Sequence, residues 1–427
     1  MNISRFRHYK PLLLLCLVVA ATSGCSSFLA RAAQSRSFNA LTAKAPGRGL
    51  RVLNVYPNSQ AEHVGLTQMD VLFRYGDFEV VDDASFFAAR DFYEKKGGAE
   101  IPILVWRGGA ALEVKVRPGK LGLESNEYSP VAYQFGSFMD RLDVQQGIPE
   151  HLRAVEFKDA YTPPERLRAE ANQLLDKAEL EGTLTPNQIL VGRIYMIDDE
   201  APPEELKRQA EMLAQLIATQ PVSYLEMLGN DKLFKKEHYR AAAACLKRYL
   251  EVVPDDVSMR LNMGVSYYKV GMFAEAEAAA DYVFDHQLPL SDHGLVVAFD
   301  VKAMGALARS DYQVSIKSAE QAFTIEPHPF DIFLIMLAAA QTGDVQKVME
   351  ASGHMERTLP QEFKRDQLKI AAVEALALVK NNQRNQAREL VNKWKDTDRA
   401  EGRIKSWWKI FPGSAELLKN WNELARS

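Results

Sequence analysis

From about residue 223 to the end of the chain, small residues and prolines recur at a helical-hairpin spacing. Repetition at a fixed period constrains a fold strongly, because one unit cannot bury its apolar face alone and must stack on its neighbour. In frames of about 34 residues, one unit runs from Ser223 to just past Pro254, with Ala242, Leu246 and Tyr249 in its second helix. The next places Gly264 and Tyr267 in its first helix and Ala276, Ala280 and Val283 in its second, and ends at Pro289. A third carries Ala303, Ala306, Ala319, Ala322 and Pro327. Weaker copies span 330–358 and 362–395, with Ala375 and Ala387 at the small positions. Residues 412–426 read as a capping helix turning Leu417, Leu418, Trp421 and Leu424 inward.

These frames resemble tetratricopeptide (TPR) repeats, in which a small residue in each helix lets the pair cross closely and proline ends it. The resemblance implies an all-α superhelical solenoid over 221–427 whose concave face binds extended peptides or helices. Arg260, Asn262 and Lys269, on first helices, are the candidate contacts on that face. Residues 161–220 read as a helical segment of degenerate earlier repeats.

The chain before this has a different period. Leu50 to Tyr56 alternates and is rich in strand formers, and Pro57-Asn58-Ser59 then breaks it and offers Ser59 as a helix cap. A helical turn at 61–64 stops at Gly65, and 70–75 reads as a second strand ending at Gly76-Asp77. Phe86, Ala89, Phe92 and Tyr93 fall at helical spacing within 84–96, before Gly97-Gly98. Residues 101–106 and 111–116, joined through Arg107-Gly108-Gly109, read as a hairpin.

Together the pattern Val55-x-Pro57-x-Ser59-x-Ala61-x-x-x-Gly65-Leu66-x-x-x-Asp70-Val71-Leu72, the helix and the Arg107-x-Gly109 turn resemble a PDZ domain of the bacterial envelope type over 46–124. In that family a glycine usually precedes the aspartate; here Met69 stands in its place. The resemblance implies a small α/β fold in which an extended peptide adds to a strand edge beside a helix. Its terminal carboxylate would meet a loop of free backbone N–H groups. Leu121-Gly122-Leu123 matches the apolar-Gly-apolar pattern of that loop, with Gly47-Arg48-Gly49-Leu50 as the competitor. Phe86, Arg90 and Tyr93 are candidate groove contacts, and the two aromatics fit the core better than a ligand. Residues 25–45 and 125–160 read as linkers, the second with a short helix near 131–142.

At the N-terminus Arg5, Arg7 and Lys10 precede an apolar run from Leu12 to Ala21, then Thr22-Ser23-Gly24-Cys25. This is the plan of a signal peptide over residues 1–24, and the run is about half of the ~20 residues a permanent membrane span needs. The last four residues resemble the lipobox of bacterial lipoproteins, which implies a covalent lipid on Cys25 and an otherwise soluble body held at a membrane. Ser26 after the cysteine resembles lipoproteins sent to the outer membrane, facing the periplasm.

With Cys16 lost with the signal and Cys25 lipidated, Cys245 stands alone and forms no internal disulfide. Net charge is −4, and loss of Arg5, Arg7 and Lys10 makes it −7, with no Lys/Arg run; nucleic acid is an unsuitable partner. The sequence holds no His-Glu-x-x-His, phosphate loop, Gly-x-Ser-x-Gly elbow or metal-type Cys/His spacing, so no metal or small-molecule cofactor is expected. The expectation is a multidomain, non-catalytic envelope scaffold with protein or peptide partners. The alternatives are an accessory subunit recruiting substrates to, or regulating, an envelope protease, and, more remotely, an enzyme with an unrecognised site. Replacing Cys25 by Ser is expected to abolish incorporation of labelled palmitate and release the chain to the soluble fraction; undiminished labelling would exclude Cys25 as the lipid site.

Overall fold

The computed structural model describes residues 39–41, 46–129, 162–394 and 411–426, with Phe135 and Leu142 besides. The signal segment, Cys25 and most of the helix expected near 131–142 lie outside the described residues. The chain divides into two compact units, one holding the N-terminal region to Leu142 together with Asp176–Gln188, the other holding Asp143–Leu175 and Ile189–Ser427.

The first unit is built on an antiparallel sheet. Its elements are β1 (Asn39–Leu41), β2 (Leu50–Val55), α1 (Gln60–His63), β3 (Val71–Tyr75), β4 (Phe78–Glu79), α2 (Asp83–Lys96), β5 (Ile101–Arg107), β6 (Ala110–Val116) and β7 (Leu123–Glu127). The strands lie in the order β1-β6-β5-β3-β2-β7, with β4 paired to β3. Two boundaries differ from those read in the sequence. A short strand, β1, pairs with β6 inside the stretch read as linker, and β7 carries the domain past residue 124. Neither three residues of strand nor a polar Leu-Glu-Ser-Asn-Glu run has a strong period, so only pairing with an existing edge organises them.

Local chemistry explains the expected elements. Ser59 caps α1 by accepting from the Glu62 N–H. Asp82 caps α2 in a reciprocal box with Ser85, the Asp82 side chain accepting from the Ser85 N–H at 2.8 Å and the Ser85 hydroxyl accepting from the Asp82 N–H at 3.0 Å. Gly108 and Gly109 both take positive φ, 55° and 95°, as a two-residue hairpin connection between β5 and β6 requires. Alternate residues Ile101, Ile103 and Val105 of β5 join Leu50, Leu72, Tyr75, Val80 and Phe86 in the core. The buried Asp70 carboxylate is held by Arg107, whose Nε donates at 2.6 Å and whose Nη2 donates at 2.5 Å, with a further bond to the Gly65 carbonyl at 2.8 Å. That fork binds the hairpin to the loop before β3.

The second unit is helical: α3 (Pro164–Leu180, whose last turn belongs with the first unit), α4 (Pro186–Tyr195), α5 (Pro203–Thr219), α6 (Val222–Met227), α7 (Tyr239–Leu250), α8 (Val257–Lys269), α9 (Phe273–Asp285), α10 (Asp292–Ala308), α11 (Tyr312–Ile325), α12 (Pro329–Thr342), α13 (Val345–Thr358), α14 (Pro360–Lys380), α15 (Arg384–Trp394) and α16 (Ser414–Arg426). Sequential helices pack in pairs at the frames read from the repeats. A wide π turn over Leu228–Leu233 follows α6 and interrupts the first helix of the first frame, which no sequence period announces. The small residues sit where helices cross. A Cβ on Gly264 would lie 3.3 Å from that of Ala279, and one on Gly305, beside the expected Ala303 and Ala306, only 2.6 Å from that of Glu277. Leu417, Trp421 and Leu424 of α16 are buried, as a capping helix requires.

Met69 sits at φ 75°, a left-handed conformation that costs a side-chain-bearing residue roughly 1–2 kcal/mol, and its side chain is exposed. Met69→Gly is therefore expected to raise the stability of the sheet unit by about 0.5–1 kcal/mol once glycine's extra unfolded-state entropy is subtracted. A urea titration followed by a probe in the sheet unit checks this; a lowered midpoint would mean that the methionine side chain contributes packing.

Candidate functional site

The loop Lys120-Leu121-Gly122-Leu123 turns the chain from β6 into β7. Gly122 has φ 73°, and a Cβ there would stand 2.4 Å from that of Ser59, so no other residue fits without strain. The carbonyls of Leu121 and Gly122 accept from the N–H groups of Ala61, at 2.8 Å, and Tyr56, at 3.0 Å. Gln60 ties down the stretch before them, donating to the Arg117 carbonyl at 3.1 Å and accepting from the Arg117 N–H. With the carbonyls bound, the N–H groups of Leu121 and Gly122 donate to no acceptor among the described residues. A cradle of this kind suits an anion, a terminal carboxylate above all.

From this loop β7 runs antiparallel to β2, Leu123 opposite Val55 and Glu127 opposite Leu50. Among the described strands β2 is its only neighbour, so β7 forms an edge of the sheet. The first turn of α2 adjoins the far end of that strand: the Asp83 N–H donates to the Glu127 carboxylate at 3.4 Å. Edge strand, helix and N–H loop are thus parts of one sheet unit.

The competing loop, residues 47–50, lies at the other end of the ladder. Gly49 stands just before Leu50, its carbonyl accepting from the Tyr128 N–H, and a Cβ there would meet the Leu72 carbonyl oxygen at 2.7 Å. It starts a strand and is a crowded backbone crossing. Of the three candidate contacts on α2, Phe86 is 7 % exposed and packs edge-on to Tyr75 in the core. The Tyr93 hydroxyl donates to Asp77 at 3.0 Å and accepts from the Asp77 N–H at the same distance. Phe86 thus lies in the core and Tyr93 packs against it, the side the aromatic stripe favours. Arg90 is half-buried, stacked 4.5 Å over the Phe87 ring and paired with Asp91.

Comparison with known proteins gives the following. No protein-family model matches the chain, and no curated protein matches its sequence. Solved structures similar to it include that of MamA protein, at 17 % identity over 44 % of this chain and 94 % of that one, with a TM-score of 0.33, and that of a tetratricopeptide repeat protein from Parabacteroides merdae ATCC 43184, at 11 % identity over 68 % of this chain and all of that one, with a TM-score of 0.35.

The helical unit uses two of its three expected contact residues internally. Arg260 is 9 % exposed, donates to the Pro254 carbonyl at 2.6 and 3.2 Å and lies 3.5 Å over the Tyr282 ring. Asn262 donates to the Asn230 side chain at 2.8 Å. These bonds fasten one repeat to its neighbours. Lys269 is half-buried between the rings of Tyr239 and Tyr268, and burial pushes its ammonium pKa down. At α12 every residue from Asp331 to Ala340 is buried, and α10, α11, α13 and α14 all pack against it. A helix apolar on every side is a core helix.

Sequence reading missed a pair inside that core. Asp331 of α12 is wholly buried, and Asp300 of α10 is its acidic neighbour. Burial, reinforced by the charge of Asp331, holds the Asp300 carboxyl well above the usual carboxylate range. Burial likewise pushes Asp331 from 3.8 up to about 6. The folded form therefore binds more protons than the unfolded chain between those values, and stability is lost as pH rises through that interval. Asp331→Asn is expected to stabilise the helical unit by about 1–3 kcal/mol above pH 6 and by little at pH 4. Urea unfolding at pH 4 and 7.5 checks this, and an equal effect at both would show that the carboxyl does not titrate in the window.

Proposed function

We propose that this chain is a non-catalytic adaptor, held at a cell-envelope membrane by lipid on Cys25, whose sheet unit captures the free C-terminal end of a partner protein. The observation that carries the reading is the pair of N–H groups at Leu121 and Gly122 that lack an acceptor among the described residues, set at the start of the edge strand β7. An extended chain end added to β7 would receive main-chain hydrogen bonds from the strand and place its carboxylate at those donors. The PDZ-like order of motifs in the sequence supports the same mode, and the arrangement of loop, edge strand and helix agrees with it.

The helical repeats serve as a second protein-binding surface in this reading, in keeping with their TPR-like frames. Arg260 and Asn262 also hold neighbouring repeats together, through the Pro254 carbonyl and the Asn230 side chain. Cys245 takes no part: it is buried, and burial pushes its thiol up to about 12, so it is inert at neutral pH.

The test is binding of the full chain, in detergent, to a peptide library presented with free and with amidated C-termini. The change is made on the ligand because substitution of Gly122 would strain the loop itself. A preference of tenfold or more for the free carboxylate is expected. Equal binding of both forms, or binding of neither, would remove carboxylate capture from the function.

A further inference from the structure

Residues 176–188 belong to the sheet unit although they follow it by some fifty residues in sequence. Their contacts gather at one place. The Thr185 hydroxyl donates to Asp82 Oδ2 at 2.6 Å, and the Gln188 amide donates to Glu127 Oε2 at 2.9 Å. Arg48 donates to the Gly182 carbonyl, and Leu184 is buried. Asp82 caps α2 and Glu127 ends β7, so this segment touches both walls of the candidate groove at the end away from Gly122.

The two contacting side chains are fixed before they reach the groove. Thr185 and Gln188 form a reciprocal capping box at the start of α4: the Thr185 hydroxyl accepts from the Gln188 N–H at 3.2 Å, and the Gln188 side-chain Oε1 accepts from the Thr185 N–H at 2.8 Å. Each side chain then has a donor left over, and those donors are the ones that hold Asp82 and Glu127. The direct bond from the Asp83 N–H to Glu127 closes the same end.

We propose that the Thr185/Gln188 box is a built-in stop that makes the groove blind, so that it takes the last four or so residues of a free C-terminus and excludes an internal strand or hairpin. This rests on the carboxylate-capture reading. A ligand strand rises about 3.3 Å per residue, so four residues starting at Gly122 reach the level of Asn126 and Glu127, where the segment begins. A strand that continued along the edge would run into Thr185 and Gln188. The partner it fits is an exposed, extended chain end, and the residues before its last four turn out to solvent.

The experiment measures affinity of the full chain for nested free-carboxylate peptides of two to eight residues drawn from one bound sequence, in the wild type and in Gln188→Glu. Glutamate keeps the acceptor that the capping box needs, so α4 retains its start, but it replaces the donor to Glu127 by a second carboxylate that repels it. Wild-type affinity is expected to climb to four residues and then change less than twofold, whereas in Gln188→Glu the octapeptide gains at least fivefold over the tetrapeptide. Continued gain beyond four residues in the wild type would overturn the stop while leaving carboxylate capture standing, as would a Gln188→Glu profile identical to the wild type's. Failure of every free-carboxylate peptide to bind would overturn both readings.

Discussion

The left-handed turn at Gly122 decides where the last strand of the sheet goes, and the candidate groove depends on that choice. With φ positive and the Ser59 side chain too close for any Cβ, the loop presses its carbonyls onto the N–H groups of Tyr56 and Ala61. Its own N–H groups are left without an internal acceptor, and β7 is delivered to the edge beside β2. A single conformational requirement thus produces both a donor cradle and an edge strand, the two features that recognition of an extended chain end needs.

The helical unit is governed by a different constraint, close crossing of helices. Gly264, Gly305 and the buried alanines let helix axes approach until side-chain volume must vanish at the crossing. The consequence at α12 is burial on every side, and two carboxyl groups are enclosed with it. Burial favours the neutral form of a carboxyl group, and it raises the pKa of both Asp300 and Asp331. Two of the polar groups named from sequence fasten repeats together, Arg260 to Pro254 and Tyr282, and Asn262 to Asn230.

Much of this was legible in the sequence because it follows from local periods and local chemistry. Strand alternation at 50–56, the Ser59 cap, the glycine turns at Gly65 and Gly108-Gly109, the helix ending at Gly97 and the helical frames from 223 to 426 all depend on residues a few positions apart. Even the unusual backbone at Met69 was marked, since the family pattern places a glycine where this chain adopts positive φ. Phe86 and Tyr93 show the limit of such reading: a helical stripe tells that residues share a face, but whether that face meets core or ligand is settled by neighbours far along the chain.

The sequence by itself determined the kinds of element, their order, and the division between a small sheet unit and a helical repeat region, because period, capping and turn chemistry act over a few residues. It also carried the net charge of −4 and the small number of cysteines, three in all. Tertiary structure alone decided that β7 is an edge, that residues 176–188 join the sheet unit, that Thr185 and Gln188 meet Asp82 and Glu127, and that Asp300 and Asp331 share a buried site. Each of these is a contact between residues about thirty to one hundred positions apart, and such contacts arise only when the backbone has closed and excluded water, which no local pattern encodes.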